Sequence, residues 1–341
     1  MPGRLRTATL RVAQAVPVVI GVVVISFVLT RALPGDPAVY FAGPAADDAS
    51  IAEIRSALGL DRTLPEQFLI YAGDLLRGDL GQSLSTGQPV AEDLARRLPA
   101  SLELTGLALL LACGIAIPLG VLAATRPGSF ADHACRVMVT AGVSLPTFFT
   151  GIVLVYVFYY LLGVAPSPLG RLDFAFIEPE QVTGFYLIDA AIAGDGETWM
   201  ASAAQLVLPA VTLALFTLAP IARMTRGAML AALGADFIRT ARASGLRPKT
   251  VIYTYAFRNA LLPVVTTLGM VFSFVLGANV LVEKVFAWPG IGSYAVEALV
   301  VSDYAAVQGF VLVMALLFVA LNLAIDLLYT VIDPRVGFDG V

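Results

Sequence analysis

Histidine and cysteine are nearly missing from this 341-residue chain, which has one His and two Cys. A Ser-His proteolytic pair would have only one imidazole to draw on, His133, and it lies in the loop "RPGSFADHACR". No H-E-x-x-H stretch occurs, which excludes that class of metalloprotease, and His133 reads as a solvated loop residue. Cys113 and Cys135 make no metal-ligand spacing and fall within or beside apolar runs, so they read as small packing residues. A G-x4-G-K-[ST] phosphate loop is also absent, so the chain is not expected to bind ATP itself. Charge is the largest deficit. Only 13% of residues are Asp, Glu, Lys or Arg against 58% hydrophobic, and the mean hydropathy of +0.85 lies outside the range of soluble domains.

The charge that remains is pushed aside by long apolar runs. Residues 12–30, 104–125, 137–170, 198–222, 259–282 and 304–325 carry none, and these runs hold 19, 22, 34, 25, 24 and 22 residues. About 20 helical residues cross a bilayer core. The runs do not alternate apolar and polar at period two, so helices are preferred to a barrel. The fold class read from this pattern is an all-α polytopic membrane protein with about six transmembrane helices. Arg4, Arg6 and Arg11 precede the first run as they would in a signal peptide. That run is longer than a signal-peptide core, and no small-x-small cleavage pattern precedes Pro34-Gly35-Asp36, so it reads as an uncleaved first span.

With six spans both termini share a side, and Lys/Arg placement picks it. A cytoplasmic N-terminus puts 13 of the 21 cations inside: Arg4, Arg6, Arg11, Arg126, Arg136, seven from Arg223 to Arg258, and Arg335. Of 25 acids, only Asp132, Asp236, Asp333 and Asp339 then face inward, with Asp326 inside the last span. Five arginines from Arg55 to Arg97 oppose this, but they belong to a long outer segment that the rule discounts. The expected topology is N-in, C-in.

The chain then divides into a cytoplasmic end with the first span (1–34), an outer segment (35–99), a five-helix core (100–332) and a cytoplasmic tail (333–341). In the outer segment "IAEIRSALGL", "LPEQFLIYAGDLL" and "VAEDLARRL" have helical apolar spacing between Gly/Pro breaks, which predicts short amphipathic helices. An acidic outer stretch, 171–197, interrupts the core.

The inner segment between the fourth and fifth spans, 228–258, concentrates the positive charge. "AMLAALGADFIRTARAS" reads as one helix, with Leu230, Leu233, Phe237 and Ala241 on one face and Asp236, Arg239 and Arg242 on another. Gly245 is placed as its C-terminal cap, and Pro248 suits the first turn of a second helix, "PKTVIYTYAFRNA". Three readings compete: basic anchoring at lipid headgroups, a nucleic-acid patch, and a docking element for a cytoplasmic partner. Without an aromatic stacking platform the nucleic-acid reading is disfavoured. An apolar ridge offered outside the bilayer favours docking into a groove on another protein.

At this point the sequence resembles the permease subunits of ATP-binding-cassette importers, whose coupling-helix motif is usually written EAA-x3-G-x9-I-x-LP. Aligned on Gly245, the leading positions are Arg239, Thr240 and Ala241. Tyr255 stands at the Ile position, Phe257-Arg258 stand where Leu-Pro would be, and the nearest Leu-Pro is Leu262-Pro263. These departures are shared with the dipeptide/oligopeptide (and nickel) branch, which reads close to "DYIRTARAKGL…RNALLPVV" where this chain has "DFIRTARASGL…RNALLPVV". "LGLDRTLPEQFLIYAGDLLRGDLGQSL", "SLPTFFTGIVLVYVF", "VEKVFAWPGIG" and the last span are similar to the same branch, while 171–197 matches least well.

The resemblance implies a type I importer permease of the bacterial cytoplasmic (inner) membrane, forming half of a translocation path for di- or oligopeptides. The same branch also serves nickel chelates, glutathione and other peptide-like solutes. The implied partners are a second homologous permease subunit, two cytoplasmic ATP-binding subunits, an extracytoplasmic solute-binding protein and membrane lipid. No cofactor, metal, catalytic residue or nucleic acid is implied. The ATPase-coupling residues carried over are Asp236, Phe237, Arg239, Thr240, Ala241, Arg242, Gly245 and Leu246. An ion channel is disfavoured because nothing resembles a filter loop, and a secondary carrier would work alone, which separates it from this reading.

Two features stay open. The last span, with 16 Leu/Ile/Val/Phe residues between Val307 and Ile332, still inserts despite Asp326, since a central Asp costs about 2.5 to 3.5 kcal/mol against roughly 5 to 10 gained. Asp326 and Asn322, one turn earlier, are expected to face the bundle interior, either as structural hydrogen bonding or as lining of the path. Trp288, Pro289 and Gly290 of "WPGIG" are expected to turn back at the outer face, contacting substrate or closing the bundle.

Overall fold

Breakers within the apolar runs decide where each helix stops. The structure, a computed structural model, describes residues 2–32, 36–43 and 46–332. The expected tail 333–341, with Asp333, Arg335 and Asp339, lies outside the described residues, as do Pro34 and Gly35. Helix α1 (Pro2–Ala32) carries the first run. Helices α2 (Pro37–Ala42), α3 (Asp48–Ala57) and α4 (Leu64–Leu76) follow as short elements. Side-chain caps start them: Asp36 accepts from the Ala38 amide at 2.9 Å, Asp47 from Ser50 at 3.0 Å, and Glu66 from Thr63 at 3.1 Å.

The third amphipathic phrase differs from expectation. It is not a separate short helix but the first part of α5 (Val90–Thr125), which runs through Pro99. Proline removes one backbone hydrogen bond there. Val90 and Leu94 before it, and Ala100 and Leu104 after it, are buried against other helices and hold α5 together across the gap.

The 34-residue third run also differs. It folds as α6 (Phe130–Ser144) and α7 (Thr147–Leu154), the latter continuing as a π-helical stretch over Val155–Leu161. Leu145 is extended (φ −113°, ψ 136°), as the clash with the following Pro146 ring requires. Beyond it come α8 (Tyr186–Ala193), α9 (Gly196–Leu233), α10 (Asp236–Ala243) and α11 (Pro248–Thr250). A second π-helical stretch, Val251–Phe257, leads without a break into α12 (Arg258–Val285), and α13 (Ile291–Val300) and α14 (Tyr304–Ile332) complete the chain.

Among the described residues four helical segments are long and apolar enough to cross a membrane: Val90–Thr125, Gly196–Leu233, Pro248–Val285 and Tyr304–Asp326. Val16–Ala32 and Thr147–Leu161 supply shorter apolar helices from the first and third runs.

The core is the seam of α5, α9 and α12. Ala100, Leu104, Ala108, Ala112, Ala116, Gly120 and Ala124 recur every four residues on the buried face of α5. The first five share a core with Leu206, Ala210, Leu213 and Ala214 of α9 and Val271, Val275 and Val282 of α12. Small residues let backbones approach closely, which is where packing is gained between helices in lipid. A Cβ on Gly120 would lie 2.7 Å from the Cβ of Thr225, so only glycine fits this crossing. At 1.5 Å per residue α9 is about 57 Å long, so its two ends emerge on opposite sides of a bilayer core about 30 Å thick.

Candidate functional site

The site forms where α9 runs out. The Gly234 amide closes the last turn on the Leu230 carbonyl at 3.2 Å, and Ala235 is extended (ψ 153°) before α10 begins. The single helix expected across this stretch is therefore two, and the expected ridge changes at one position: Leu230, Leu233 and Ala241 share one cluster, but Phe237 does not join it. Phe237 is exposed, and Ile238 takes the buried place beside Ala241. Those two residues belong to one apolar cluster with Val121 and Ala124 of α5, Met229 of α9, Val251 and Ala256 of the second π-helical stretch, and Ala260 of α12, and α10 packs mainly on that stretch. The inward face of α10 thus joins a cluster in which the ends of three spanning helices meet.

Its outward face is polar, cationic and partly apolar. Asp236, Phe237, Arg239, Thr240, Arg242, Gly245 and Leu246 are all exposed, as are Arg247 and Lys249 beyond them. Asp236 lies in the first turn, where a negative charge complements the helix dipole, and Arg239 approaches it at 3.4 Å. Both side chains are open to water, so this pair contributes little. The Thr240 hydroxyl donates to the Asp236 carbonyl (3.2 Å) and Ser244 to that of Thr240 (3.0 Å), which keeps these short side chains on the helix surface.

The C-terminal end agrees with the sequence reading in detail. Gly245 has φ +74°, its amide donates to Arg242 O at 3.0 Å, and the Leu246 amide reaches Ala241 O at 3.3 Å. That pair of bonds is a Schellman turn, which glycine enters without Cβ strain. A Cβ on Gly245 would meet no atom of the chain within 4 Å, so the turn projects into open space. Pro248 then occupies the first turn of α11, where its missing N–H costs nothing.

A buried acid beside this element went unassigned in the sequence. Asp132, in the first turn of α6, has its carboxylate fully buried; Oδ1 accepts from Arg226 Nε at 2.6 Å, and Oδ2 from Arg136 Nη2 (2.8 Å) and the Gly128 amide (3.0 Å). The Arg226 hydrogen bond, then the Gly128 amide and Arg136, hold this carboxyl well below the usual carboxylate range. The i, i+4 spacing of Asp132 and Arg136 was a visible signal; the partner on α9 was not.

At the other end of the bundle Trp288 is buried and its Nε1 donates to Ala100 O at 2.9 Å. Glu283, also buried, accepts from Ser101 Oγ (2.5 Å), Asn279 Nδ2 (3.0 Å) and the Ser293 amide (2.8 Å). Gly290 packs against the Glu283 carboxylate and Ser101 so tightly that a Cβ would overlap both. Pro289 is exposed. The Trp288–Gly290 turn is therefore packed against α5 and the Glu283 carboxylate. Asn322 and Asp326 lie on α14, away from both clusters. The inward face expected for Asn322 is not found: it is exposed and donates to the Phe318 carbonyl of its own helix at 2.8 Å, while Asp326 is half-buried. The structure thus gathers Asp236–Leu246 into one surface and keeps Trp288–Gly290 and Asn322/Asp326 apart from it.

Residues 116–338 match the family described as binding-protein-dependent transport system inner membrane component, and residues 4–105 match the N-terminal unit of such membrane components. The probable D,D-dipeptide transport system permease protein DdpB of Escherichia coli (strain K12) is 47% identical over 95% of both chains. The di/tripeptide transport system permease protein DppB of Pseudomonas aeruginosa (strain UCBPP-PA14) is 40% identical, and the dipeptide transport system permease protein DppB of Escherichia coli (strain K12) 39%. Each alignment covers 96% of this chain and 97% of the relative. With its helices, its two matched regions and near-full-length relatives, this multi-pass protein of the bacterial inner membrane belongs to the family of binding-protein-dependent transport system inner membrane components.

Proposed function

We propose that this chain is one of two permease subunits of an ATP-driven importer for short peptides, with both termini cytoplasmic. The observation that carries the reading is the shape of α10. One side joins the apolar cluster where the ends of α5, α9 and α12 meet, and the other, with the turn and α11 that follow it, offers Phe237, Leu246 and four cations to a partner. Such an element converts a push on a surface into movement of three spanning helices. The pushing partners are two ATP-binding subunits, which hydrolyse ATP; a solute-binding protein supplies peptide from the opposite side. The peptide substrate follows from the relatives' names, which specify D,D-dipeptides, dipeptides and tripeptides. Asn322 and Asp326 lie on a helix that the chain itself covers poorly, and we assign that face to the boundary with the second permease subunit, lining the path.

The test is uptake of labelled dipeptides by a deletion strain carrying the gene or an empty vector, with pull-down of ATP-binding subunits on the tagged chain. Restored ATP-dependent uptake with co-purifying ATPases is expected. Uptake that persists without those subunits would replace this reading with a secondary carrier.

A further inference from the structure

The acidic stretch 171–197, at the end of α9 opposite α10, is held in a fixed shape from beneath. Arg171 is buried; its Nη2 lies 2.6 Å from Glu103 Oε2 and donates to Gly184 O at 2.9 Å, and its guanidinium stacks 3.6 Å from the Tyr186 ring centre. Glu103 Oε1 also accepts from the Leu187 amide at 3.0 Å. Asp189, buried as well, accepts from the Thr183 amide and hydroxyl and the Gly184 amide at 2.7–2.9 Å. Gly184, at φ +82°, presses on Pro99, whose Cγ would be 2.8 Å from any added Cβ. A buried Arg171–Glu103 pair and a buried Asp189, tied to each other through Gly184, leave this loop little freedom.

The upper side of the same loop is apolar and bare. Phe174 and Ile177 are 84% and 89% exposed, and Phe176 and Val182 also face outward. Glu178 and Glu180 are exposed among them. An ordered apolar patch with a polar rim marks an interaction surface. A bilayer is a poor cover for it, because 171–197 carries six acids and its one cation, Arg171, is buried against Glu103, so anionic headgroups would repel it. A protein surface that is basic around an apolar socket satisfies both features.

We propose that residues 172–182 form the docking surface for a soluble outer protein with a basic, apolar-centred face, which in the importer reading above is the solute-binding protein. The surface rests on that reading. Phe174 and Ile177 act as the anchors, and Glu178 and Glu180 set orientation and encounter rate.

The experiment uses the whole transporter in nanodiscs, with ATPase activity titrated by the peptide-binding protein of the same system loaded with Ala-Ala. The variants Phe174→Ser/Ile177→Ser and Glu178→Lys/Glu180→Lys keep Arg171, Glu103 and Asp189 in place; because Glu178 also bonds Tyr186 of the clamp, Glu180→Lys alone is run beside the pair, and an unchanged melting temperature checks the folding of each. Each is expected to raise the half-saturating binding-protein concentration by roughly tenfold with the same plateau, since a few central side chains carry most interface energy. The charge-reversed pair should also lose much of the salt dependence of half-saturation. Unchanged half-saturation in both variants overturns the docking surface while leaving the importer reading intact. Tighter binding by the Lys variant overturns the basic partner. A wild-type complex that no binding protein stimulates would sink the importer reading, and this surface with it.

Discussion

Asp132 Oδ1 and Arg226 Nε meet at 2.6 Å, joining the first turn of α6 to α9 across 94 residues of sequence. The acid is fully buried and the guanidinium about one-quarter exposed, so the pair is a fixed strut and not a surface contact. It lies one helical turn before Met229, which shares an apolar cluster with Ile238 and Ala241 of α10. A push on α10 that moves the end of α9 must therefore carry α6 with it.

This strut makes a pH prediction whose sign follows from its lowered pKa. The folded state holds the Asp132 proton more weakly than the unfolded chain, where an Asp titrates near about 3.9. Its stabilisation is therefore fully present above that value and is lost as pH falls through the folded pKa. The melting temperature in detergent should be insensitive to this group from pH 8 to 5. Asp132→Asn should melt roughly 5 °C lower or more, because it weakens one member of a buried ionic cluster. The gap to wild type should narrow only below about pH 4. A gap that instead narrows between pH 6 and 8 would show that another group governs it.

Gly245 gives a prediction that separates folding from coupling. Its φ of +74° strains any L-residue by about 1–2 kcal/mol, yet the space around it is empty within the chain. Gly245→Val should thus reach the membrane at near-normal levels and still lose most peptide uptake, because the added side chain stands on the surface proposed to meet the ATP-binding subunits. Normal uptake, with ATP-binding subunits co-purifying at full stoichiometry, would refute the role.

Which features were legible in the sequence follows from how local their causes are. Charge-free runs had to be helical because lipid cannot satisfy a bare backbone, and Gly245 and Pro248 announced themselves by a left-handed turn and a missing N–H. Gly234 gave no such signal, since its φ of −83° is open to any residue. The break it permits moved Phe237 out of the ridge and Ile238 into it. Pro146 did carry a signal, but the 34 apolar residues around it favoured a single long span. The ties that fix the ends of the bundle join distant positions: Glu103 to Arg171, Asp132 to Arg226, and Glu283 to Ser101 and Ser293. Nothing short-range in the sequence pairs them.

Glu283 should matter for folding more than for recognition. It accepts three hydrogen bonds from donors on α5, α12 and α13, all buried. Glu283→Ala leaves the buried Ser101 hydroxyl and Ser293 amide without this acceptor, which costs about 2–4 kcal/mol. Gly290→Ala should do similar damage by forcing the carboxylate away. Both variants are expected to lower resistance to denaturation in detergent, and the protein that remains folded should keep its peptide preference. A changed preference at unchanged stability would place the Trp288–Gly290 turn against substrate.

Asn322 is where path and lipid can be told apart. Its amide donates only to the Phe318 carbonyl of its own turn, an acceptor that the helix ladder already uses, so its removal should cost under about 1 kcal/mol. Its side chain is exposed on a helix that packs chiefly against α1 and leaves much of its surface open. If that surface met only lipid, Asn322→Leu would be neutral or slightly stabilising, because an amide in hydrocarbon is costly. If it faces the second permease subunit across the path, as proposed, the same change makes a polar wall apolar. The expected result is an unchanged membrane level and melting temperature with peptide uptake reduced several-fold, measured as initial rates over a range of dipeptide concentrations. Uptake equal to wild type would assign this face of α14 to the bilayer.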